Sequence, residues 1–255
     1  MGAPLSFPFA SASKMNALQA TDLRKSFRVE GRVIDVLRGV TLAVPEGAFH
    51  AVMGPSGAGK STLLNLLAGL LPPDSGEVSV KGRSLVGLPD RELTLLRRRS
   101  VGIVFQDCNL IPTLTVAQNI ALPALLDGRD VPAERMETLL GLVGLTHRRN
   151  QPADRLSGGE AQRTAIARAF AMAPDIILAD EPTGNLDSPA AAEFCATLTR
   201  LNRELGAAIL LISHDPQVAA AADVVHILRD GQICGAFETG HDPATVSANY
   251  LERMA

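Results

Sequence analysis

The chain has 255 residues, 24 Lys+Arg against 27 Asp+Glu, a formal net charge of −3 and 46% hydrophobic residues. At about 100–200 residues per domain this is one large domain or two small ones, and an ordinary apolar fraction excludes global disorder. The slightly acidic balance leaves no basic footprint for nucleic acid, and without a run of about 18 apolar residues the chain is expected to be soluble rather than membrane-spanning.

Residues 1–15 read as a flexible Pro/Ser/Ala tail without the basic and apolar regions of a secretory signal, and Met15 is an alternative start. Gly2 and Ser6 match the myristoylation pattern, but so short a pattern often arises by chance. Residues 17–27 and 33–44 alternate as strands about a turn at Glu30-Gly31. Residues 48–53 form a short buried strand, followed by a glycine-rich stretch at 54–59 and a helix from 60 to about 69. Pro72-Pro73-Asp74-Ser75-Gly76 is a dense turn signal. Residues 101–105 are strand-like. From 107 to about 160 the β signal vanishes, and apolar spacing at 115–126 and 133–143 predicts a helical subdomain. A helix at 159–171, a strand at 176–180, a helix at 190–205, a strand at 207–213 and a short helix at 216–222 follow. Strands at 224–228 and 232–237 join through Arg229-Asp230-Gly231, and residues 241–255 are left as a C-terminal tail. This alternation predicts an α/β fold with a mostly parallel sheet, an antiparallel β edge and helices on both faces.

Three cysteines, Cys108, Cys195 and Cys234, are odd in number and lack metal-type spacing. They exclude a disulfide framework and a zinc knuckle, and fit a reducing compartment.

Gly54-Pro55-Ser56-Gly57-Ala58-Gly59-Lys60-Ser61-Thr62 fits G-x-x-x-x-G-K-[ST]. Glycines let the backbone wrap a phosphate chain, and the next helix adds its positive N-terminal end. Lys60 is placed to reach the β- and γ-phosphates and Ser61 to offer a hydroxyl to Mg²⁺. The predicted strand at 176–180 ends in Asp180-Glu181, which a parallel sheet delivers to the same rim. Asp180 can hold the Mg²⁺ shell while Glu181 orients and deprotonates a water. A phosphate loop alone leaves kinases, GTPases, helicases and transport ATPases open. Leu156-Ser157-Gly158-Gly159-Glu160, opening a helix, adds a second anion cradle about 100 residues away. The Arg97–Arg99 cluster reads as a solvated helix end, and His50, His147, His226 and His241 as structural.

In these ordered motifs the chain resembles the ATP-binding subunits of ABC transporters, from about Leu18 to Phe237. The resemblance implies a P-loop ATPase domain over residues 16–240 that hydrolyses ATP with Mg²⁺. It implies a head-to-tail pair of copies in which Ser157, Gly158 and Gly159 of each chain face the other's phosphate loop. Gln106 resembles the residue that senses Mg²⁺ and the attacking water, and His214 the switch histidine at the γ-phosphate. Gly184-Asn185-Leu186-Asp187 matches the loop that speaks across the dimer. Phe27 stands in the place of the aromatic that stacks on adenine. Residues 96–123, Ala179–Asp187 and Ser213–Ala219 look most like the macrolide-exporter and lipoprotein-release group. That group works with an integral permease at the cytoplasmic face of the inner membrane; Glu160 leans toward the lipoprotein-release type. A cell-division-type ATPase and a soluble ATPase uncoupled from transport are the alternatives. DNA-repair forms would need a long coiled coil between Lys60 and Asp180, where no sustained heptads occur, and a P-loop kinase would not need LSGGE.

Overall fold

The computed structural model describes residues 15–254. Of the expected N-terminal tail only Met15 falls within them, and the Gly2–Ser6 pattern lies outside the described residues.

Strands β1 (Asn16–Val29) and β2 (Arg32–Pro45) form an antiparallel hairpin. Its two turn residues, Glu30 and Gly31, have φ of 49° and 79°, the pair of positive values that matches the right-handed twist of the flanking strands. With β4 (Ser75–Val80) and β5 (Arg83–Ser84) the hairpin makes a four-stranded sheet in the order β2-β1-β4-β5. These four strands form a sheet of their own, separate from the antiparallel edge expected on the parallel sheet, and the turn expected at 72–76 gives way to β4 at Ser75. Only Val78 and Val80 of β4 are buried, too weak an alternation to stand out in sequence.

The second sheet has the order β10-β9-β3-β8-β7-β6. It is built from β3 (Phe49–Met53), β6 (Val101–Val104), β7 (Ile176–Asp180), β8 (Ala208–Ile212), β9 (Val224–Arg229) and β10 (Gln232–Glu238). All its pairs are parallel except β10 with β9. Strands buried on both faces read as continuous apolar runs, and AILLI of β8 is wholly buried. Val52, Leu178, Leu210 and Ile212 pack with α1 (Lys60–Leu67) and the antiparallel sheet. Ala51, Met53, Ile177, Ile209 and Leu211 face the opposite way, toward α3 (Val116–Leu126), α4 (Ala133–Leu142), α5 (Gly158–Phe170) and α6 (Ser188–Leu205).

Between Asp107 and Ser157 lie α3, α4 and two 3₁₀ turns, and no strand. Asn119, fully buried on α3, braces the segment ahead of it. Its side chain accepts from the Ile111 N–H at 2.8 Å and donates to the carbonyls of Ile111, Leu114 and Thr115 at 3.1 Å.

Two readings need correction. Arg97–Arg99 end the helix α2 (Asp90–Ser100) but are not merely solvated. Arg97 donates to the Gly69 carbonyl at 2.7 Å, while Arg98 and Arg99, with Arg129, surround the enclosed carboxylate of Asp127. The expected tail at 241–255 contains α8 (Pro243–Met254). Its Val246 is buried and Tyr250 and Met254 pack on the core beside α7 (Pro216–Ala219). These three sit at i, i+4 and i+8, a helical stripe too short to register against its polar neighbours.

Candidate functional site at the carboxyl ends of the parallel strands

The parallel sheet delivers the ends of β3, β6, β7 and β8 to one rim: Asp180 is the last residue of β7, and Gly54, Gln106, Glu181 and His214 follow their strand ends within two residues. The loop from β3 to α1 is shaped by backbone. A Cβ on Gly54 would sit 2.2 Å from the Leu228 carbonyl oxygen, and Gly59 caps α1 with φ of +99°. Ser56, Gly57 and Ser61 are exposed, Pro55, Gly59 and Thr62 half-buried, and Ala58 buried.

Lys60 is buried in this loop, 8% exposed. Its ammonium donates to the carbonyls of Gly54 at 2.9 Å and Pro55 at 3.1 Å, and lies 3.7 Å from Glu181 Oε1. The other oxygen, Glu181 Oε2, lies 3.2 Å from His214 Nδ1. One carboxylate is thus suspended between the phosphate-loop lysine and a histidine arriving from β8. Glu181 has φ of 40°, in the left-handed region that non-glycine residues seldom occupy. Its N–H donates to the Ile212 carbonyl at 3.0 Å, and its own carbonyl accepts from Gly184 N–H at 3.0 Å.

Asp180 is set back beneath the loop. Its Oδ1 is buried with no hydrogen-bond partner among the described residues. Burial raises its pKa and the Glu181 charge adds to this, while the Ser61 hydroxyl and Lys60 oppose it. A buried carboxylate oxygen left without a proton donor, beside a serine hydroxyl, is a donor set suited to a hard divalent cation.

Gln106 is at the rim, and among the described residues its side chain makes no hydrogen bond to either acid. Its Nε2 donates to Asn185 Oδ1 at 3.4 Å, and Asn185 Nδ2 donates to Asp107 Oδ1 at 3.3 Å. The Gln106 segment and the Gly184–Asp187 segment are therefore joined within one chain. Phe27 sits on the β1–β2 hairpin, 38% exposed, with the Lys25 ammonium 5.7 Å from its ring centroid. Lys25 Nζ donates to Asp74 Oδ1 at 2.7 Å, and the Ser26 N–H and hydroxyl donate to Oδ2 at 2.7 and 2.8 Å. The Lys25 hydrogen bond, helped by Ser26, holds the Asp74 carboxyl down at about 2. Asp74, in sequence only part of a turn, thus ties down Lys25 and Ser26 next to Phe27, in addition to the β1–β2 ladder.

Ser157, Gly158 and Gly159 stand apart at the start of α5. Ser157 and Glu160 form a reciprocal capping box. Glu160 Oε2 accepts from the Ser157 N–H at 2.9 Å and its hydroxyl at 3.0 Å, while the Glu160 N–H donates to Ser157 Oγ at 3.3 Å. Ser157 N–H, foremost, and then Arg148, whose Nε lies 2.9 Å from Oε1, hold the Glu160 pKa below the usual range. Ser157 and Gly158 are exposed, and no hydrogen bond joins the Ser157 side chain to the phosphate loop among the described residues.

Gln162, on the next turn of α5, belongs to none of the motifs legible in the sequence. It is 3% exposed, and its amide donates to the Pro182 carbonyl just beyond Glu181. The sequence marks Ser157 as the opening of a helix, and the structure adds the reciprocal bond to Glu160; a buried glutamine reaching a loop 20 residues away leaves no such local signal.

Similarity to known proteins gives the family. The family model described as "ABC transporter" matches residues 37–184. The chain is 42% identical to the uncharacterized ABC transporter ATP-binding protein YvcR of Bacillus subtilis, over 94% of this chain and 95% of that one. It is 42% identical to the lipoprotein-releasing system ATP-binding protein LolD of Syntrophus aciditrophicus, over 85% of this chain and 98% of the relative. Identity is also 42% to the macrolide export ATP-binding/permease protein MacB of Syntrophobacter fumaroxidans, over 86% of this chain but 31% of that longer protein. Among solved structures, a dimeric post-hydrolysis state of the ATP-binding cassette MJ0796 bound to ADP and Pi superposes with a TM-score of 0.77. It is 37% identical and covers 87% of this chain and 98% of that one. The chain belongs to the ABC transporter ATP-binding family.

Proposed function

We propose that this chain binds and hydrolyses ATP as one half of a head-to-tail pair of copies, and thereby drives an integral permease of the lipoprotein-release or macrolide-export kind from the cytoplasmic face of the membrane. Residues 16–240 form the ATP-binding domain, with residues 107–160 as its helical part. The observation that carries the reading is the suspension of Glu181 between Lys60 and His214 at the mouth of a glycine-built loop.

The backbone N–H groups of residues 54–62 cradle the phosphates, with the α1 N-terminus adding favourable potential. The Lys60 ammonium, already aimed along the loop, neutralises the β- and γ-phosphates. Ser61 and Asp180, with Gln106 as the family resemblance implies, fit Mg²⁺, which when bound supplies neutralisation of phosphate charge. Glu181 takes the proton from the attacking water as its oxygen bonds to the γ-phosphorus and the bond to ADP breaks. His214, held against Glu181 Oε2, keeps that carboxylate oriented, and Phe27 offers its ring face to the adenine. Ser157, Gly158 and Gly159 present hydroxyl and N–H donors to the γ-phosphate held by the partner copy.

The β-phosphate and γ-phosphate chemistry predicts that Glu181→Gln lowers steady-state hydrolysis by about 10²–10⁴-fold, the range for loss of a general base. Near-normal hydrolysis would move the base elsewhere. Affinity purification from membranes is expected to recover an integral protein together with this chain; recovery without one would favour the soluble alternative.

A further inference from the structure

Helix α5 grips more than its own cap. It begins beside Ser157, and Gln162 lies five residues on, about 7.5 Å along the axis at 1.5 Å per residue. There the buried Gln162 amide donates to the Pro182 carbonyl. Further along, the Arg168 guanidinium donates to the carbonyls of Cys108 at 2.7 Å and Asn109 at 2.6 Å, in the segment that follows Gln106. One rigid element thus holds the segment after Gln106 and the backbone beside Glu181, and carries the exposed Ser157 at its tip.

The Glu181 backbone needs such a hold. Its φ of 40° is the kind of sparsely populated conformation that persists only when the surroundings over-determine it. The Ile212 carbonyl fixes the Glu181 N–H, and Gly184 N–H closes the turn from the other side. The carbonyl of Pro182 lies between these two anchors, and as a buried acceptor it must find a donor. Gln162 supplies it.

We propose that Gln162 is a positioning residue for Glu181. By tethering Pro182 it sets where the Glu181 carboxylate sits between Lys60 and His214. Because Gln162 and Ser157 share one helix, movement of that helix at the partner's ATP displaces this chain's own Glu181. This rests on the reading of Glu181 as the base, and it adds a link between the two ATP sites that runs inside each chain.

The test is a double-mutant cycle on the full chain. Gln162→Met keeps length and removes the donor. It is expected to lower kcat about 10–100-fold, since a misplacement near 1 Å can cost roughly 10² in rate, with KM for ATP and affinity for a fluorescent ATP analogue within threefold of wild type. In a Glu181→Gln background the same substitution should change the residual hydrolysis less than twofold, because groups that act as a unit are not additive. If Gln162→Met fails to fold, Gln162→Glu preserves the volume without a donor when ionised and enters the same cycle. A kcat within twofold of wild type would overturn the proposal, as would a full additional loss in the Glu181→Gln background, the mark of a general structural role. Near-normal hydrolysis by Glu181→Gln alone overturns the base assignment and this proposal with it. An inactive Glu181→Gln beside an unaffected Gln162→Met overturns the proposal alone.

Discussion

The phosphate loop and the start of α5 are both glycine-bearing helix N-termini, one with its glycines ahead of the helix and the other with Gly158 and Gly159 as its first residues, yet they are finished to different degrees. Around Lys60 the groups are buried and aimed at one another: two loop carbonyls within 3.1 Å, Glu181 Oε1 at 3.7 Å and His214 against the other oxygen. At Ser157 the hydroxyl is exposed and engaged with Glu160 of its own helix. The first region reads as a site nearly complete within one chain. The second is a set of donors satisfied locally, free to exchange a neighbouring carboxylate for a phosphate arriving from outside. Catalysis that needs both is therefore a property of two copies.

Damage to the first region should have the larger effect. Gly54→Ala places a Cβ 2.2 Å from the Leu228 carbonyl oxygen, so the loop or β9 must move. Nucleotide affinity and turnover should both fall, by at least about 10²-fold for a displaced phosphate cradle. Gly57→Ala, at φ of +79° but with nothing within 4 Å, should be milder. Equal effects in nucleotide-binding titrations would remove the argument from close approach.

Damage to the second region should separate binding from turnover. Ser157→Arg is expected to leave nucleotide affinity of a single chain within about threefold and to abolish hydrolysis, as the proposed role of its hydroxyl at the partner's phosphate requires. Normal turnover by this variant would place Ser157 outside the reaction.

A smaller effect lies in the sheet that supports the site. His50 Nδ1 and His226 Nε2 are 3.1 Å apart on adjacent strands, both residues buried. Burial, offset in part by Asp223, lowers the His50 pKa to about 4, and burial with the His50 charge lowers that of His226 to about 3. The unfolded chain therefore binds more protons below pH 6.5, and stability falls as pH drops from there toward the folded values. Tm should decline between pH 7 and pH 5, a window above most carboxylate titration. A Tm constant across it would show that neither histidine stays neutral.

What sequence made legible follows from how local each signal is. The phosphate loop, Asp180-Glu181, LSGGE and the core strands are contiguous runs whose physics is written in adjacent residues. The β1–β2 hairpin announced itself through Glu30-Gly31. By contrast α8 is held by three spaced contacts, β4 by two valines, and the Arg98–Arg99 pair by an aspartate almost 30 residues away. Gln162 and Asp74 serve the site only through partners that the fold brings close, so neither could be read from its neighbours.

If ATP itself joins two chains, Glu181→Gln should trap the pair. The substitution keeps side-chain size, removes the proton acceptor and lowers negative charge beside the phosphates, so the ATP-bound pair should persist. Size-exclusion chromatography of this variant is expected to give a dimer with ATP and a monomer with ADP. A monomer with both nucleotides would contradict the account.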